Sequence, residues 1–286
     1  MSEMALKSVL DESPPSATDR SAYAEIGAIC LRGVFTEWVE TLRAGVERNM
    51  RDPGPHAAEN LKPGEAGRFF DDYCNWERIP EFREFVLDSP AARIAAAVIK
   101  SRTAQFFHEH VLVKEPGTFK ATPWHQDLPY YFIDGRQTVS IWIPLDPVAP
   151  DTSLRVVPGS HRWPRLVRPS HWLDDSNFYT GDADTYMELP DIEADPERYP
   201  ILAREMQPGD AVLFDFRTLH GAGGNVATRR RRAFSTRWLG DDVRYVERPG
   251  RTSPPFPGHG MQAGERLRED WFPILWPPAV RTGRID

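Results

Sequence analysis

The sequence predicts an α+β protein in which N-terminal helices flank an antiparallel jelly-roll core. Helical periodicity is confined to the stretch before residue 103, and beyond it the apolar runs are short and rich in β-branched and aromatic residues. Turn chemistry brackets nearly every one of those runs: Pro116-Gly117, Asp134-Gly135, Pro158-Gly159, Pro208-Gly209-Asp210 and the stretch 221–225.

Taken in order, residues 1–20 are polar and Ser/Pro-bearing, which predicts a loose tail ahead of a single domain over 21–286. Residues 26–34 (IGAICLRGV) read as a strand. Thr36 is placed to N-cap a helix through about Arg48, with Trp38, Val39, Leu42 and Val46 on one face. After a Pro/Gly-rich connection over 52–67, helices are expected at 79–87 and 89–100, the second rich in Ala and Ile and suited to lie on a sheet. Strands are expected at 106–113, 137–143, 154–157, 211–215 and 233–239. The weakly patterned segment 162–200 reads as a lid or insertion; nine acidic residues and one basic residue fall between Asp174 and Arg198.

Composition narrows the function classes. Hydrophobic residues make up 40% of the 286 and charged residues 27%, enough for a sizeable core. A net charge of −7 argues against a surface built for nucleic acid. Cys30 and Cys74 are too few for a disulfide framework or a zinc-finger set, which points to a reducing compartment. No signal-like stretch opens the sequence and no apolar run is long enough to span a bilayer, so a cytoplasmic protein without a membrane partner is expected, either monomer or homodimer.

His125-Gln126-Asp127 is the first chemically informative triplet. On a strand, residues two apart project to one face, so an imidazole and a carboxylate reach a common point. His220, between the run AVLFDF and a glycine-rich turn, is the candidate third ligand. Two histidines and one carboxylate on one face of a metal leave positions open and are diagnostic of iron(II) oxygenases. Such a triplet alone occurs often by chance; a distant histidine and a following arginine make the metal reading the stronger one. Arg231 supplies the planar, permanently charged fork that the distal carboxylate of 2-oxoglutarate needs. Strand alternation over 229–235 turns Arg231 inward and Arg230 and Arg232 outward, with Arg229 as rival.

The stretches VKEPG (113–117), WHQD (124–127), SIWIPLDPV (140–148), LRVVPGSHR (154–162), PGDAVLFDFRTLHGAGGN (208–225) and RRAFS (231–235) resemble the phytanoyl-CoA dioxygenase family. The resemblance covers roughly residues 22–245 and implies a double-stranded β-helix core. It further implies Fe(II), with 2-oxoglutarate and O₂ as co-substrates and succinate and CO₂ as co-products. By the same resemblance His125, Asp127 and His220 match the iron ligands, Arg231 the 2-oxoglutarate arginine, Trp142 a co-substrate-pocket tryptophan and Gln126 a residue at that pocket's edge. Ala222 stands where some members carry a hydroxyl, and Arg68 is a loose match to an upstream basic residue. Asp127 favours hydroxylation over halogenation, because the related halogenases carry a small residue there.

The remaining residues have simpler readings. His108 and His110 share one strand face, directed either to a cavity or to solvent; His161 is expected to satisfy a turn, and Lys114 to support the fold. Tyr130 and Tyr131, just beyond the metal motif, are the substrate-contact candidates. The expected activity is hydroxylation of an unactivated C–H in a small organic molecule. The alternative is a non-catalytic jelly-roll binding protein with a vestigial metal site.

Overall fold

A computed structural model describes residues 15–179 and 185–278. Helix α1 (Ala17–Ile26) comes first among the described residues, and its first four residues fall in the stretch expected as loose tail. Ser16 Oγ accepts the Asp19 N–H at 3.1 Å and Asp19 Oδ2 accepts the Ser16 N–H at 2.8 Å, a reciprocal capping box that satisfies two otherwise orphaned donors. Residues 1–14 of the expected tail lie outside the described residues.

The chain continues through β1 (Ala28–Leu31), α2 (Val39–Arg51), β2 (Ala58–Glu59), β3 (Phe69–Tyr73), α3 (Pro80–Asp88), α4 (Ala91–Val98) and β4 (Ala104–Lys114). Then follow β5 (Thr122–His125), β6 (Ile133–Asp134), β7 (Thr138–Pro144), β8 (Leu154–Val156), β9 (Leu166–Val167) and β10 (Tyr186–Met187). The last are β11 (Leu202–Ala203), β12 (Ala211–Phe214), β13 (His220–Ala222), β14 (Arg231–Leu239), β15 (Arg244–Tyr245) and β16 (Ile274–Trp276). Thr36 sits in a 3₁₀ turn ahead of α2, and its hydroxyl donates to Gly33 O at 3.0 Å, so it does not cap the helix as expected.

The large sheet runs β1-β12-β7-β14-β4-β3-β2, with β16 also on β4; a smaller sheet runs β11-β8-β13-β5. All pairings within both are antiparallel. Alternation sets the two faces of the large sheet. Val111, Val113, Ile141, Ile143 and Phe234 meet Leu42, Val46, Phe82, Phe85 and Ile94 from α2, α3 and α4. Trp142, Val212, Phe214 and Ala233 meet Leu154 and Val156 of the small sheet. Two facing antiparallel sheets of this kind form the jelly roll. Phe82 and Phe85 both reach the Phe234 ring, at 4.7 and 5.5 Å between centroids, and each buried ring contributes roughly 1.5–3 kcal/mol.

One irregularity positions the site. Along β14, Arg237 pairs with His108, yet Trp238 pairs with Phe106, so the register slips by one residue at Phe107. This β-bulge sends Phe106 and Trp238 to the helix-covered core and Phe107 to a separate cluster with Leu128, Phe132 and Phe272. Downstream of it, His108 and His110 face away from the helices.

Candidate metal centre

The small sheet pairs β13 with β5 so that the Cα atoms of His220 and His125 lie opposite each other. Asp127 does not continue the strand as expected. β5 ends at His125, and Asp127, at φ −69° and ψ −42°, starts a 3₁₀ turn over Leu128–Tyr130. The turn, not strand alternation, swings the carboxylate back toward the imidazoles. Asp127 Oδ1 lies 3.7 Å from His125 Nε2 and 3.8 Å from His220 Nε2, and one ligand atom from each of the three residues falls within 4.8 Å of the others.

The surroundings prepare these groups for a cation. His125 Nδ1 donates to Pro123 O at 2.8 Å and His220 Nδ1 to Thr218 O at 2.9 Å; a carbonyl only accepts, so both Nε2 atoms are left as lone pairs facing the carboxylate. Burial, with the neighbouring His220, pushes His125 down to about 3, and burial lowers His220 as well, so both rings are neutral ligands at physiological pH. Burial alone would raise the Asp127 carboxyl, but Arg237, the two imidazoles and the Ser140 hydroxyl outweigh it and hold it well below the ordinary range. Asp127 Oδ2 accepts from Ser140 Oγ at 2.7 Å and lies 3.5 Å from Arg237 Nε, which leaves Oδ1 for the metal. Two neutral imidazoles and an ionised carboxylate, all buried, fit a divalent first-row ion.

Arg231 opens β14 opposite Lys114 at the end of β4. Its guanidinium is 4% exposed and donates through Nη1 to Thr152 O and, at 3.3 Å, to Gly223 O. Lys114, 0% exposed, donates to the same Gly223 carbonyl at 2.9 Å and lies 4.3 Å from the centre of the Phe69 ring. Neither cation has a carboxylate partner among the described residues. Burial pushes Arg231 down to about 10, and burial together with Arg231 lowers Lys114 well below its ordinary value. Arg231 Nε and the hydroxyls of Ser153 and Ser235 are buried without partners. Orphaned donors and two uncompensated cations together fit a carboxylate ligand. Gly223 is required here because a Cβ would meet Asp151 O at 2.1 Å. Arg229, the rival, is exposed, while Arg230 pairs with Glu47 and Glu115 and Arg232 with Asp146 and Glu47, so the basic run divides as alternation predicts.

His125 and Asp127 also line a cavity of about 230 Å³. Tyr130 and Tyr131, the substrate-contact candidates, border it. Tyr130 OH donates to Ser170 O at 2.7 Å and burial pushes it up to about 12; Tyr131 OH accepts from Arg237 Nε at 3.2 Å. Trp142 is buried between the sheets on the face it shares with Ser140, opposite Ser235. Gln126, expected at the edge of the co-substrate pocket, is engaged with backbone. Its amide donates to Arg217 O and accepts from Val167 N at 2.8 Å, so both ends tie backbone segments together. His161, expected to satisfy its own turn, instead donates through Nε2 to Ala24 O of α1 at 3.2 Å.

Three contributors escaped the sequence reading. Arg237, which braces Asp127, shares the strand face of Arg231 by parity, and that alternation was the available signal. Lys114 looked like a strand-end lysine. Trp172, in the segment expected as a lid or insertion, meets the His125 ring edge-on at 4.9 Å between centroids, and no local pattern marks it.

Comparison with known proteins agrees with this geometry. Residues 23–233 match the profile of the family described as phytanoyl-CoA dioxygenase (PhyH). A probable phytanoyl-CoA dioxygenase of Caenorhabditis elegans is 27% identical over 63% of this chain, which spans only 54% of that protein's length. The ectoine dioxygenase of Sphingopyxis alaskensis is 26% identical over 76% of this chain and 73% of its own. Among solved structures, the non-heme alpha-ketoglutarate-dependent carbocyclase SnoK from nogalamycin biosynthesis superposes with a TM-score of 0.70 at 26% identity, covering 92% of this chain and 97% of SnoK. With a matched profile over most of its length, this chain belongs to the phytanoyl-CoA dioxygenase family.

Proposed function

We propose that the protein is an Fe(II)- and 2-oxoglutarate-dependent dioxygenase that hydroxylates an unactivated C–H of a small organic molecule and releases succinate and CO₂. The observation that carries this reading is the His125–Asp127–His220 cluster together with a buried guanidinium, Arg231, that lacks a counter-ion among the described residues. His125, Asp127 and His220 would hold the iron, which with 2-oxoglutarate supplies O₂ activation when bound. The chain's own part is orientation. Pro123 and Thr218 fix the imidazole tautomers, and Ser140 and Arg237 hold the outer oxygen of Asp127. Arg231 and Lys114 would grip the distal carboxylate of the co-substrate, with Trp142 against its chain, and Tyr130 and Tyr131 would contact the substrate. Asp127 in the ligand position favours hydroxylation over halogenation. The acidic composition of the 174–198 stretch disfavours a polyanionic CoA thioester as substrate.

Anaerobic titration tests the reading. Fe(II) followed by 2-oxoglutarate should produce a weak visible charge-transfer band, and succinate should form in air only when Fe(II) is present. His125→Ala and Asp127→Ala should abolish both. Undiminished succinate in either variant would refute the assignment, and a silent titration would favour a binding protein.

A further inference from the structure

We infer that the cavity takes a neutral, polyhydroxylated ring compound, two of whose hydroxyls donate to the imidazoles of His108 and His110. This rests on the reading of the adjacent cluster as a metal centre, since that places the substrate in this cavity.

Both histidines line the cavity from β4, two residues apart on one face, which spaces their backbones by roughly 6.6–6.8 Å. Their tautomers are set by acceptors in the protein. His108 Nδ1 lies 3.2 Å from Glu109 O, and a carbonyl cannot donate, so that nitrogen carries the proton. His108 Nε2 is then a lone pair, and it is buried without a partner. His110 is fixed the other way round. Its Nε2 lies 2.7 Å from Asp71 Oδ2, so its Nδ1 is the lone pair, and it has no partner among the described residues. The cavity therefore presents two acceptors in line along a strand, and a ligand must bring donors to both.

Charge narrows the class further. The Arg237 guanidinium stands across the ladder from His108, with Nη1 buried and unpartnered, and opposes an ammonium there. The Asp71 carboxylate behind His110 opposes an acid. A hydroxyl suits both positions, because it donates to an imidazole without carrying a charge, and at His108 its oxygen can also accept from Arg237. The walls suit a ring. Trp172 lies nearly parallel to His110 at 5.9 Å and also packs 4.9 Å from the metal-site ring of His125, while Tyr73 meets His110 edge-on at 5.4 Å. This aromatic surface runs from the acceptor pair to the metal cluster, so a ring lying on it would have hydroxyls at one end and a C–H at the other.

Calorimetry on the anaerobic Fe(II)/2-oxoglutarate-loaded protein tests the inference, using myo-inositol and methyl β-glucoside against cyclohexanecarboxylate, cyclohexylammonium and methylcyclohexane. At least one polyol should bind about tenfold or more tightly than each of the other three. His108→Phe and His110→Phe should each lose that preference, and His110→Asn, which restores an acceptor, should recover part of it. The charge-transfer band is recorded on every sample first. Its absence from the wild-type protein refutes the metal-centre reading, whereas its presence with no polyol preference overturns the present inference alone. Tighter binding of the acid or the amine, or unchanged polyol affinity in both Phe variants that retain the band, also overturns it. The wild-type panel decides the matter even if a variant does not fold.

Discussion

Lys114 and Arg231 share one carbonyl oxygen at the end of β4 and bring two positive charges into a wall with no carboxylate among the described residues. Uncompensated buried charge destabilises a fold, and apolar replacement of such groups is often neutral or stabilising. Lys114→Met and Arg231→Met should therefore leave the melting temperature unchanged or raised. Each should also increase the 2-oxoglutarate concentration for half-maximal succinate formation by about tenfold or more, from loss of a charge-assisted hydrogen bond. A fall in melting temperature in both variants, with the 2-oxoglutarate requirement unmoved, would reassign the pair to structural support. At this scale the sequence disclosed Arg231, because strand parity separates it from Arg230 and Arg232. It concealed Lys114, because a lysine at a strand end ordinarily reaches water, and only the arrival of Phe69 and Gly223 from distant segments encloses it. The backbone ties of Gln126 were hidden for a related reason: the chain leaves the strand after His125, so the middle residue of the triplet turns to the backbone of Arg217 and Val167.

Helix α2 lies against α3 with Gly45 at the contact. A Cβ there would come within 2.4 Å of the Phe82 ring. Helix propensity alone favours alanine over glycine by about 1 kcal/mol. Forcing a fully buried ring aside costs roughly 1–3 kcal/mol, so Gly45→Ala should lower unfolding free energy by up to about 2 kcal/mol in urea titration. A gain in stability would mean that the two helices separate freely. Amphipathic helices and apolar strands were legible in the sequence, because their periodicity is local. The β3 strand FFDDY was not, because consecutive aspartates argue against a strand. Asp72 nevertheless accepts from Asn49 Nδ2 and Gly54 N, both at 2.7 Å, and Asp71 accepts from Asn60 Nδ2 at 2.6 Å and pairs with His110. Those partners come from other elements. The opening helix was legible in principle from the Ser16–Asp19 spacing, a signal that the polar composition of the tail outweighed.

Stability of the whole molecule should carry the imprint of Glu109, on the helix-facing side of β4. Burial pushes its carboxyl up to about 7, even though Oε1 accepts the Asn75 N–H at 2.5 Å. Between its ordinary value of 4.5 and 7, the folded chain keeps a proton that the unfolded chain releases, so stability falls as pH rises through that window and levels off above it. Asp215, raised to about 6 by burial, acts in the same sense. His108, lowered by burial and by Arg237, acts in the opposite one, because unfolding below its ordinary value takes up a proton. Comparing Glu109→Gln with the parent isolates the carboxyl. The advantage of the variant should be small at pH 5 and grow to on the order of 3 kcal/mol at pH 8; a pH-independent difference in urea unfolding of the metal-free protein would place the proton elsewhere. The slipped register at Phe107 bears on the same strand in another way. Downstream of that single extra residue, one face of β4 keeps Val111 and Val113 against the helices while the other turns His108 and His110 to whatever molecule enters the cavity. Side chains at 108 and 110 can therefore be exchanged to change the clientele while the foundations stay where they are.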